Sequence, residues 1–181
     1  MPHTVRPYAP ADETGWLRCR VLSFLGSAYD DVWTRRPQTP VIQLVAVLAE
    51  AVIGILDVEV DGDLATIDTL AVHPDHQGRG VASALFEDAL DRLPETVTIL
   101  DAWTRDDEVA LRWYHSRGFT ESEHYLHVYK SWDDPGEGWS APVGALVTGF
   151  AHARLEDEDV LREQHRRVHV CRRMSRGIRR E

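Results

Sequence analysis

The chain has 181 residues, a formal net charge of −10 at pH 7, 43% hydrophobic residues and 28% charged residues. This composition is typical of a globular domain, and the negative charge disfavours nucleic acid as a partner because phosphates would be repelled. No apolar run approaches the roughly 18 residues of a membrane span, and the first residues do not resemble a signal peptide. The two cysteines form no C-x-x-C pair, so neither a disulfide framework nor a thiolate zinc site is expected. We therefore expect one domain that resides in the cytoplasm, with no membrane partner.

The first half of the chain predicts strands and helices in an order typical of a mixed α/β domain. Hydrophobic periodicity and turn residues set the boundaries. The predicted elements are a strand at 4–8, a helix at 10–25 that Gly26 ends, a short helix at 28–35 that Pro37 ends, and strands at 41–48, 52–60 and 65–72. The junctions between the last three strands are short enough for hairpins, so these strands should be antiparallel.

The second half continues with alternating helices and strands and a less regular tail. The predicted elements are a helix at 78–93, a strand at 97–103, a helix at 106–116, a strand at 123–129, a linker-like segment at 132–142, a strand at 145–152, a helix at 156–165 and a strand at 168–171. The strand at 97–103 should run parallel to the one at 65–72 because a helix connects them. One of the two tail strands should pair with 123–129, and the sequence does not decide which.

The segment 70–85, with the sequence LAVHPDHQGRGVASAL, carries the strongest functional signal. An apolar strand ends at Pro74, and two glycines, Gly78 and Gly80, open the following helix. Glycines let the backbone approach a ligand closely. The free N–H groups of a first helical turn, with the helix dipole, favour a phosphate group. The segment therefore predicts a cradle for a diphosphate.

Two known phosphate-binding motifs are alternatives for this segment. A P-loop is excluded because it needs a lysine, and the only lysine in the chain is Lys130. The dinucleotide motif G-x-G-x-x-G is missed only at Ser83, and Asp101 lies about 20 residues further on, where a ribose-binding acid would be. The context is different, however, because residues 74–77 separate the strand from the first glycine and three strands precede it without a helix between them.

Two motifs resemble those of the GCN5-related N-acetyltransferase (GNAT) family. Gln77, Gly80 and Ala82 fit the family's acyl-CoA-binding pattern Q/R-x-x-G-x-G/A. Further along, ALRWYHSRGF at 110–119 resembles the family pattern N-x-x-A-x-x-L/F-Y-x-x-x-G-F. The chain departs from this second pattern at Asp107, where the family usually has Asn, and at Trp113, where Leu or Phe is common.

The resemblance implies a mixed α/β sheet of the GNAT acyl-CoA N-acyltransferase fold. It implies a core at 1–131 and a C-terminal extension at 132–181 that completes the sheet or contacts a second subunit of a homodimer. It also implies that acetyl-CoA is a substrate, with its pantetheine arm along 70–72 and its pyrophosphate on backbone N–H groups of 78–83. The implied cofactor-binding residues are Leu70, Ala71, Val72, Gln77, Gly78, Arg79, Gly80, Val81, Ala82, Ser83, Asp107, Ala110 and Tyr114.

The same resemblance implies transfer of an acetyl group to a primary amine of a small molecule or peptide by direct attack. Tyr114 matches the family tyrosine near the CoA sulfur. A phenol with a pKa of about 10 can protonate a departing thiolate. Packing beside Phe119 is the alternative role for this tyrosine.

A base for the incoming amine is less clear from the sequence. The acidic candidates are Asp68, Asp101 and Glu59, and Asp68 is our first choice. Strand alternation would place Asp68 on the same face as Leu70 and Val72. A structural or substrate-orienting role for each acid, and deprotonation of the amine by solvent, stay open.

Two other functions stay open: a catalytically silent acyl-CoA-binding module of the same fold, and a nucleotide-dependent oxidoreductase. The nine histidines lack ligand spacing, so we expect no metal. The acidic residues Asp57, Glu59, Asp61, Asp63 and Asp68 predict a cationic acceptor. An arginine-rich tail predicts either a solvated, frayed end or a docking patch for an acidic partner or a neighbouring subunit. These arginines are Arg166, Arg167, Arg172, Arg173, Arg176, Arg179 and Arg180.

Overall fold

The computed structural model describes residues 3–25, 27, 29, 32–142 and 144–178 of the chain. The chain forms two compact units. Unit 1 comprises Met1–Ala102 with Ser175–Glu181, and unit 2 comprises Trp103–Met174. Each unit has its own buried apolar cluster. The division at residue 131, which rests on the extent of the sequence motifs, stays a prediction.

Unit 1 is an antiparallel meander followed by a parallel crossover. The strand order is β1-β2-β3-β4-β5. The first three pairings are antiparallel, and β4 and β5 are parallel. The predicted hairpins and crossover are therefore confirmed. The elements are β1 (Thr4–Pro7), α1 (Glu13–Phe24), β2 (Ile42–Leu48), β3 (Ala51–Asp61), β4 (Leu64–Val72), α2 (Val81–Arg92) and β5 (Ile99–Thr104), whose last two residues belong to unit 2.

The two helices of unit 1 cover opposite faces of β3. Trp16 of α1 packs in a cluster with Ile55, while Phe86 of α2 lies beside Leu56. Because Ile55 and Leu56 are adjacent on one strand, their side chains point to opposite faces. Apolar residues at helical spacing predict one buried face for α2, and its Val81, Leu85, Ala89 and Leu93 are all buried.

Two predicted helix boundaries are wrong. The helix predicted to begin at Gly78 begins at Val81, because Gly78 and Gly80 have positive φ angles of 69° and 79°, which a right-handed helix excludes. The helix predicted at 28–35 is not helical at 29 and 32–35. Here tertiary contacts override local propensity, since Trp33 stacks on Trp16 with ring centroids 6.0 Å apart. Residues 26, 28, 30 and 31 lie outside the described residues.

Unit 2 has β6 as its central strand. It lies between β8 and β7, and its pairing with β7 is antiparallel. Both tail strands therefore flank the strand predicted at 123–129. The elements are α3 (Glu108–Ser116), β6 (Thr120–Lys130), β7 (Gly149–Ala153), α4 (Glu158–Gln164) and β8 (Arg167–Gly177), whose last three residues belong to unit 1. The buried cluster of unit 2 contains Leu126, Val128, Val168 and Val170.

The segment 132–142 has the irregular backbone predicted for it, but it is packed into unit 2. Trp139 packs against the buried cluster, and its Nε1 donates to His165 Nε2 at 3.3 Å. The buried Lys130 Nζ donates to the carbonyls of Ser131, Asp134 and Val147 at 3.0, 3.1 and 3.4 Å. These contacts make the segment a structural part of the unit, so the expectation of a linker is wrong.

The arginine-rich tail forms a strand. Residues 167–177 are β8, so the expectation of a frayed end is wrong for them. Arg172 pairs with Asp106 and Glu121 at 3.2 and 3.5 Å, and Arg173 pairs with Glu123 at 3.6 Å. The charges of Arg172 and Arg173 are thus matched by acids of the same unit. Arg179 and Arg180 lie outside the described residues.

Candidate functional site

The turn that follows β4 has the backbone shape expected of a diphosphate cradle. A single 3₁₀ turn, Pro74–His76, is followed by Gly78 and Gly80, both in the left-handed region. A Cβ at either glycine would meet no atom within 4 Å. Glycine is therefore favoured at these positions by the positive φ angle. The space around them would admit a larger side chain.

Two hydrogen bonds that involve side chains stabilise this turn. The Gln77 Nε2 donates to the Val72 carbonyl at 3.0 Å, and the Asp75 N–H donates to His73 Nδ1 at 3.2 Å. The amide of Gln77, which the sequence assigned to cofactor binding, thus ties the turn to the end of β4. The Arg79 side chain is exposed at the tip.

The first turn of α2 directs its N–H groups toward this cradle. The Ala84 N–H donates to the Gly80 carbonyl at 3.0 Å as the first α-helical bond. The N–H groups of Val81 and Ala82 precede it, and helix geometry gives such groups no acceptor within the helix. No acidic residue lies in this first turn, so the helix dipole is not offset there. The arrangement suits a phosphate or pyrophosphate.

A β-bulge interrupts β4 at Asp68. Asp57 pairs with Thr69 and the next residue, Val58, pairs with Ile67, so Asp68 is left outside the β3–β4 ladder. Strict alternation does not hold across a bulge. The burial of β4 nevertheless alternates without a break, with Asp68, Leu70 and Val72 on the less buried face, in agreement with the sequence-based placement.

Beyond the bulge, β4 keeps its pairing with β3 but not with β5. The ladder with β3 continues to Val72, opposite Gly54. Among the described residues, the ladder with β5 ends at Ile67, opposite Ala102. One edge of residues 70–72 is thus not used by β5. Backbone groups on such an edge can bind an extended ligand as an added strand would.

The three acidic base candidates differ in their surroundings. Asp101 is buried and accepts from the Thr66 hydroxyl at 2.6 Å. Glu59 is exposed and accepts from the Thr39 hydroxyl at 2.6 Å. Asp68 accepts from the hydroxyl of its neighbour Thr69 at 3.0 Å and keeps an exposed surface. Asp68 and Glu59 are thus accessible, and Asp101 is not.

The pKa of Asp68 supports its assignment as the base. Partial desolvation raises this pKa above the usual value for aspartate, and the charge of Glu59 raises it further. A carboxylate with greater proton affinity is a better base near neutral pH.

Unit 1 contains a buried ion pair that the sequence does not predict. The Arg36 Nη2 and Nε donate to Asp57 Oδ1 and Oδ2 at 2.9 and 3.1 Å, and the two side chains are 1% and 0% exposed. The guanidinium also lies over Tyr8, 4.3 Å from the ring centroid. Burial raises the pKa of Asp57 to about 6, against the opposing effect of Arg36. No sequence pattern relates two residues 21 positions apart in a loop and a strand.

We expect the Asp57→Ala variant to lower the free energy of unfolding by about 3–5 kcal/mol, because it leaves the Arg36 guanidinium buried and unpaired. Glu156→Ala, which removes the exposed pair with Arg154 at 3.3 Å, is the control and should have little effect. Urea unfolding at pH 7 measures both variants. Equal midpoints for the two would show that the buried pair does not stabilise the fold.

The helix that carries the second motif begins with a side-chain cap. Asp107 Oδ1 accepts from the N–H groups of Val109 and Ala110 at 2.8 and 2.9 Å. Asp and Asn cap helices about equally well, so the departure from the family pattern preserves the start of α3. The carboxylate, unlike an amide, offers no N–H to a ligand.

Tyr114 is buried in unit 2 at 8% exposure. Its ring contacts those of Trp113 and Phe119, with centroids 5.2 Å apart in each case. The predicted packing beside Phe119 is confirmed. This packing holds the ring in place, and a fixed ring is also what a positioned proton donor needs.

Within 3–25, 27, 29, 32–142 and 144–178, no helix is long and apolar enough to cross a membrane. Over the same ranges, no group of three or more His, Cys, Asp or Glu side chains could hold a metal ion.

Part of the chain matches a known family. Residues 41–121 match the family described as Acetyltransferase (GNAT) domain. This segment includes the turn after β4 and the whole of α3. An acetyltransferase of Sodalis glossinidius (strain morsitans) is 36% identical over 73 residues, which are 40% of this chain and 51% of that protein. The match thus spans about half the length of the curated relative.

Solved structures share the fold over most of the chain. The ribosomal-protein-S18-alanine N-acetyltransferase from Escherichia coli has a TM-score of 0.64 at 16% identity, over 99% of this chain and 96% of that one. The PaiA N-acetyltransferase from Thermoplasma acidophilum, in complex with coenzyme A, has a TM-score of 0.59 at 14% identity, over 67% and 92%. At these identities the likeness concerns the fold alone. The chain therefore has the mixed α/β fold of GNAT acyl-CoA N-acyltransferases, and its residues 41–121 match the GNAT acetyltransferase domain.

Proposed function

We propose that this protein is an acetyl-CoA-dependent N-acetyltransferase that transfers the acetyl group directly to a primary amine of a small molecule or a peptide. The observation that carries the proposal is the turn after β4. Within the matched GNAT domain, Gly78 and Gly80 take left-handed angles at the start of α2. PaiA is described with coenzyme A, and the Escherichia coli relative is named for a ribosomal-protein alanine. A cytoplasmic location and a homodimer belong to the same proposal.

In this proposal, backbone groups of the protein make most of the contacts with acetyl-CoA. The pyrophosphate takes the N–H groups of 78–83, and the pantetheine arm takes the β4 edge at 70–72 that β5 does not use. Asp107 and Ala110 contribute through the start of α3. Backbone N–H groups can also stabilise the negative charge that develops on the thioester oxygen, which is usually the largest electrostatic effect in acyl transfer.

The chemistry needs one bond to form and one to break. The neutral amine nitrogen attacks the thioester carbonyl carbon, so a C–N bond forms and the C–S bond breaks. Tyr114 gives its proton to the departing thiolate and regains one from solvent. Asp68 takes the proton of the amine, directly or through a water molecule.

We expect Asp68→Asn to identify the role of this carboxylate through its pH profile. A base acts only when ionised, and the pKa of Asp68 is raised, mainly by desolvation. The kcat/KM of the wild type should therefore fall on acidification at a higher pH than an ordinary aspartate would cause. The variant should have lower kcat/KM and lack this fall. Asp91→Asn, on the exposed side of α2, is the charge-matched control. A raised KM with an unchanged pH profile would assign Asp68 to substrate orientation.

We expect a cationic acceptor whose apparent KM rises with salt. Glu59, Asp61, Asp63 and Asp68 lie exposed on β3, β4 and their hairpin, and their charges attract ammonium groups. Asp57 was part of the predicted acidic set, but its buried pair with Arg36 removes it. Exposed attractions are screened over about 8 Å at physiological ionic strength. Preference for anionic amino acids, without a salt effect, would refute steering and leave the transferase proposal intact.

Two measurements test the transferase proposal itself. Native mass spectrometry of the purified protein should show bound CoA or acetyl-CoA, and a nicotinamide cofactor in its place would overturn the proposal. A screen of amine acceptors with acetyl-CoA should then release thiol. CoA binding without thiol release from any amine class would favour the catalytically silent module.

A further inference from the structure

One face of β6, β7 and β8 in unit 2 carries a set of aromatic rings. The residues of these strands that belong to the buried cluster alternate with others, whose side chains point to the opposite face. In the β6–β7 ladder, His127 lies opposite His152 and Tyr129 lies opposite Phe150. We call this surface the ring face. It consists of Tyr125, His127, Tyr129, Phe150, His152 and His169.

The rings of this face form a continuous, partly exposed surface. Neighbouring ring centroids lie between 4.5 and 6.2 Å apart. His127 and His152 are stacked, at 5.1 Å and an interplanar angle of 12°. Phe150 is 51% exposed, and His152 is also exposed. Contiguous exposed aromatic surface on a folded protein marks a binding site more often than chance.

Positive charge lies against these rings. The Arg167 and Arg105 guanidinium carbons lie 4.1 and 5.5 Å from the Tyr129 ring centroid, and Arg105 also donates to the Tyr129 hydroxyl. The Asp106 carboxylate acts against this positive charge at His169, where it raises the pKa. Asp106 is itself paired with Arg172 at 3.2 Å. The Arg105 and Arg167 guanidinium groups therefore bring positive charge to the Tyr129 end of the ring face.

His127 and His169 stay neutral beside these arginines. Burial lowers the pKa of His127 to about 4, and the charge of Arg105 lowers it further. The pKa of His169 is lowered for the same reasons. At neutral pH both rings are therefore uncharged stacking surfaces beside permanent arginine charges.

We propose that the ring face binds a planar aromatic anion, of the class of aromatic carboxylates. The ligand ring stacks on Phe150 and His152, which are the accessible members of the face, and aromatic stacking needs such flat partners. Its negative charge is attracted by the arginines, whose planar guanidinium suits a carboxylate. A planar cation is repelled, and an anion without an aromatic ring lacks the stacking contacts. The inference concerns binding by unit 2 alone and does not depend on the transferase proposal.

The test measures binding of β-naphthoate to the whole protein by calorimetry. Naphthalenemethanol has the same rings without the charge, and cyclohexanecarboxylate has the charge without an aromatic ring. We expect each to bind about tenfold more weakly, because either the arginine attraction or the stacking is lost. Equal affinity for β-naphthoate and cyclohexanecarboxylate would overturn the proposal.

Variants then locate the site. Phe150→Ala should weaken β-naphthoate binding about tenfold, and Val160→Ala, at a side chain 57% exposed on α4, is the matched control. Arg167→Gln should also weaken it, whereas Arg166→Gln, at a 73% exposed side chain, should not. Circular dichroism verifies that each variant is folded.

Three outcomes would overturn the inference. An unchanged affinity in folded Phe150→Ala would show that the rings are not the site. Binding that is lost in Gly80→Asp but kept in Phe150→Ala would place the probe in the cradle after β4, without affecting the transferase proposal. If Phe150→Ala converts a dimer to a monomer in sedimentation and leaves β-naphthoate binding intact, the ring face is a subunit interface.

Discussion

Gly80→Asp is expected to abolish acetyl-CoA binding, with the Kd raised by more than about 100-fold, or ~2.7 kcal/mol. Gly80 is the residue before α2 and has a φ of 79°. A carboxylate there would lie where the N–H groups of the first turn attract the pyrophosphate, and it would repel that ligand. Titration calorimetry with acetyl-CoA measures the change directly.

Two variants separate this charge effect from backbone strain. Gly62 lies in the β3–β4 hairpin with a φ of 62°, and a Cβ there would also meet no atom within 4 Å. Gly62→Asp therefore imposes comparable strain, of order 1–3 kcal/mol, away from the cradle, and should keep its affinity for acetyl-CoA. Gly80→Ala adds strain at the cradle without charge and should weaken binding less than Gly80→Asp. An unchanged Kd in folded Gly80→Asp would overturn the location of the pyrophosphate.

Tyr114→Phe is expected to lower kcat by roughly 10²–10⁴-fold, the usual contribution of a positioned proton donor. The Kd for acetyl-CoA should change little, because phenylalanine keeps the ring contacts with Trp113 and Phe119. Steady-state turnover, measured by thiol release with an acceptor from the screen, gives kcat. Calorimetry gives the Kd for the same variant.

The control for Tyr114→Phe is a hydroxyl removed elsewhere. Tyr29→Phe removes a phenol whose ring packs on Phe24, with centroids 5.1 Å apart, and should leave kcat unchanged. If kcat of Tyr114→Phe falls less than about threefold, well below the contribution of a general acid, the tyrosine serves packing. Water or another group then protonates the thiolate.

Local patterns predicted most of the strands and helices because each pattern lies within a short stretch of the chain. The apolar alternation and short junctions at 41–72 predicted three antiparallel strands, which are confirmed as β2, β3 and β4. The period of α2 predicted its buried face through Val81, Leu85 and Ala89. The glycine turn and the second motif also lie within short segments, so sequence alone was enough to indicate the GNAT fold.

Features of the site that depend on distant residues could not be predicted in this way. The bulge at Asp68 arises from how β4 registers against β3, and register is a property of two strands. The Arg36–Asp57 pair joins a loop to a strand, and only burial of both side chains makes it a strong constraint.

The amino-acid sequence by itself determined the order of the elements, the buried faces and the segment fit for a pyrophosphate, because periodicity and glycine act over a few residues. Tertiary structure alone decided which tail strands flank β6 and how the ring face is assembled from three strands. It also decided that Asp57, one of the acids predicted to attract a cationic acceptor, is neutralised by Arg36. These outcomes depend on contacts between residues far apart in the chain. The entropy cost of closing the loops between such residues, and the free energy gained when they pack, are not encoded in any local pattern.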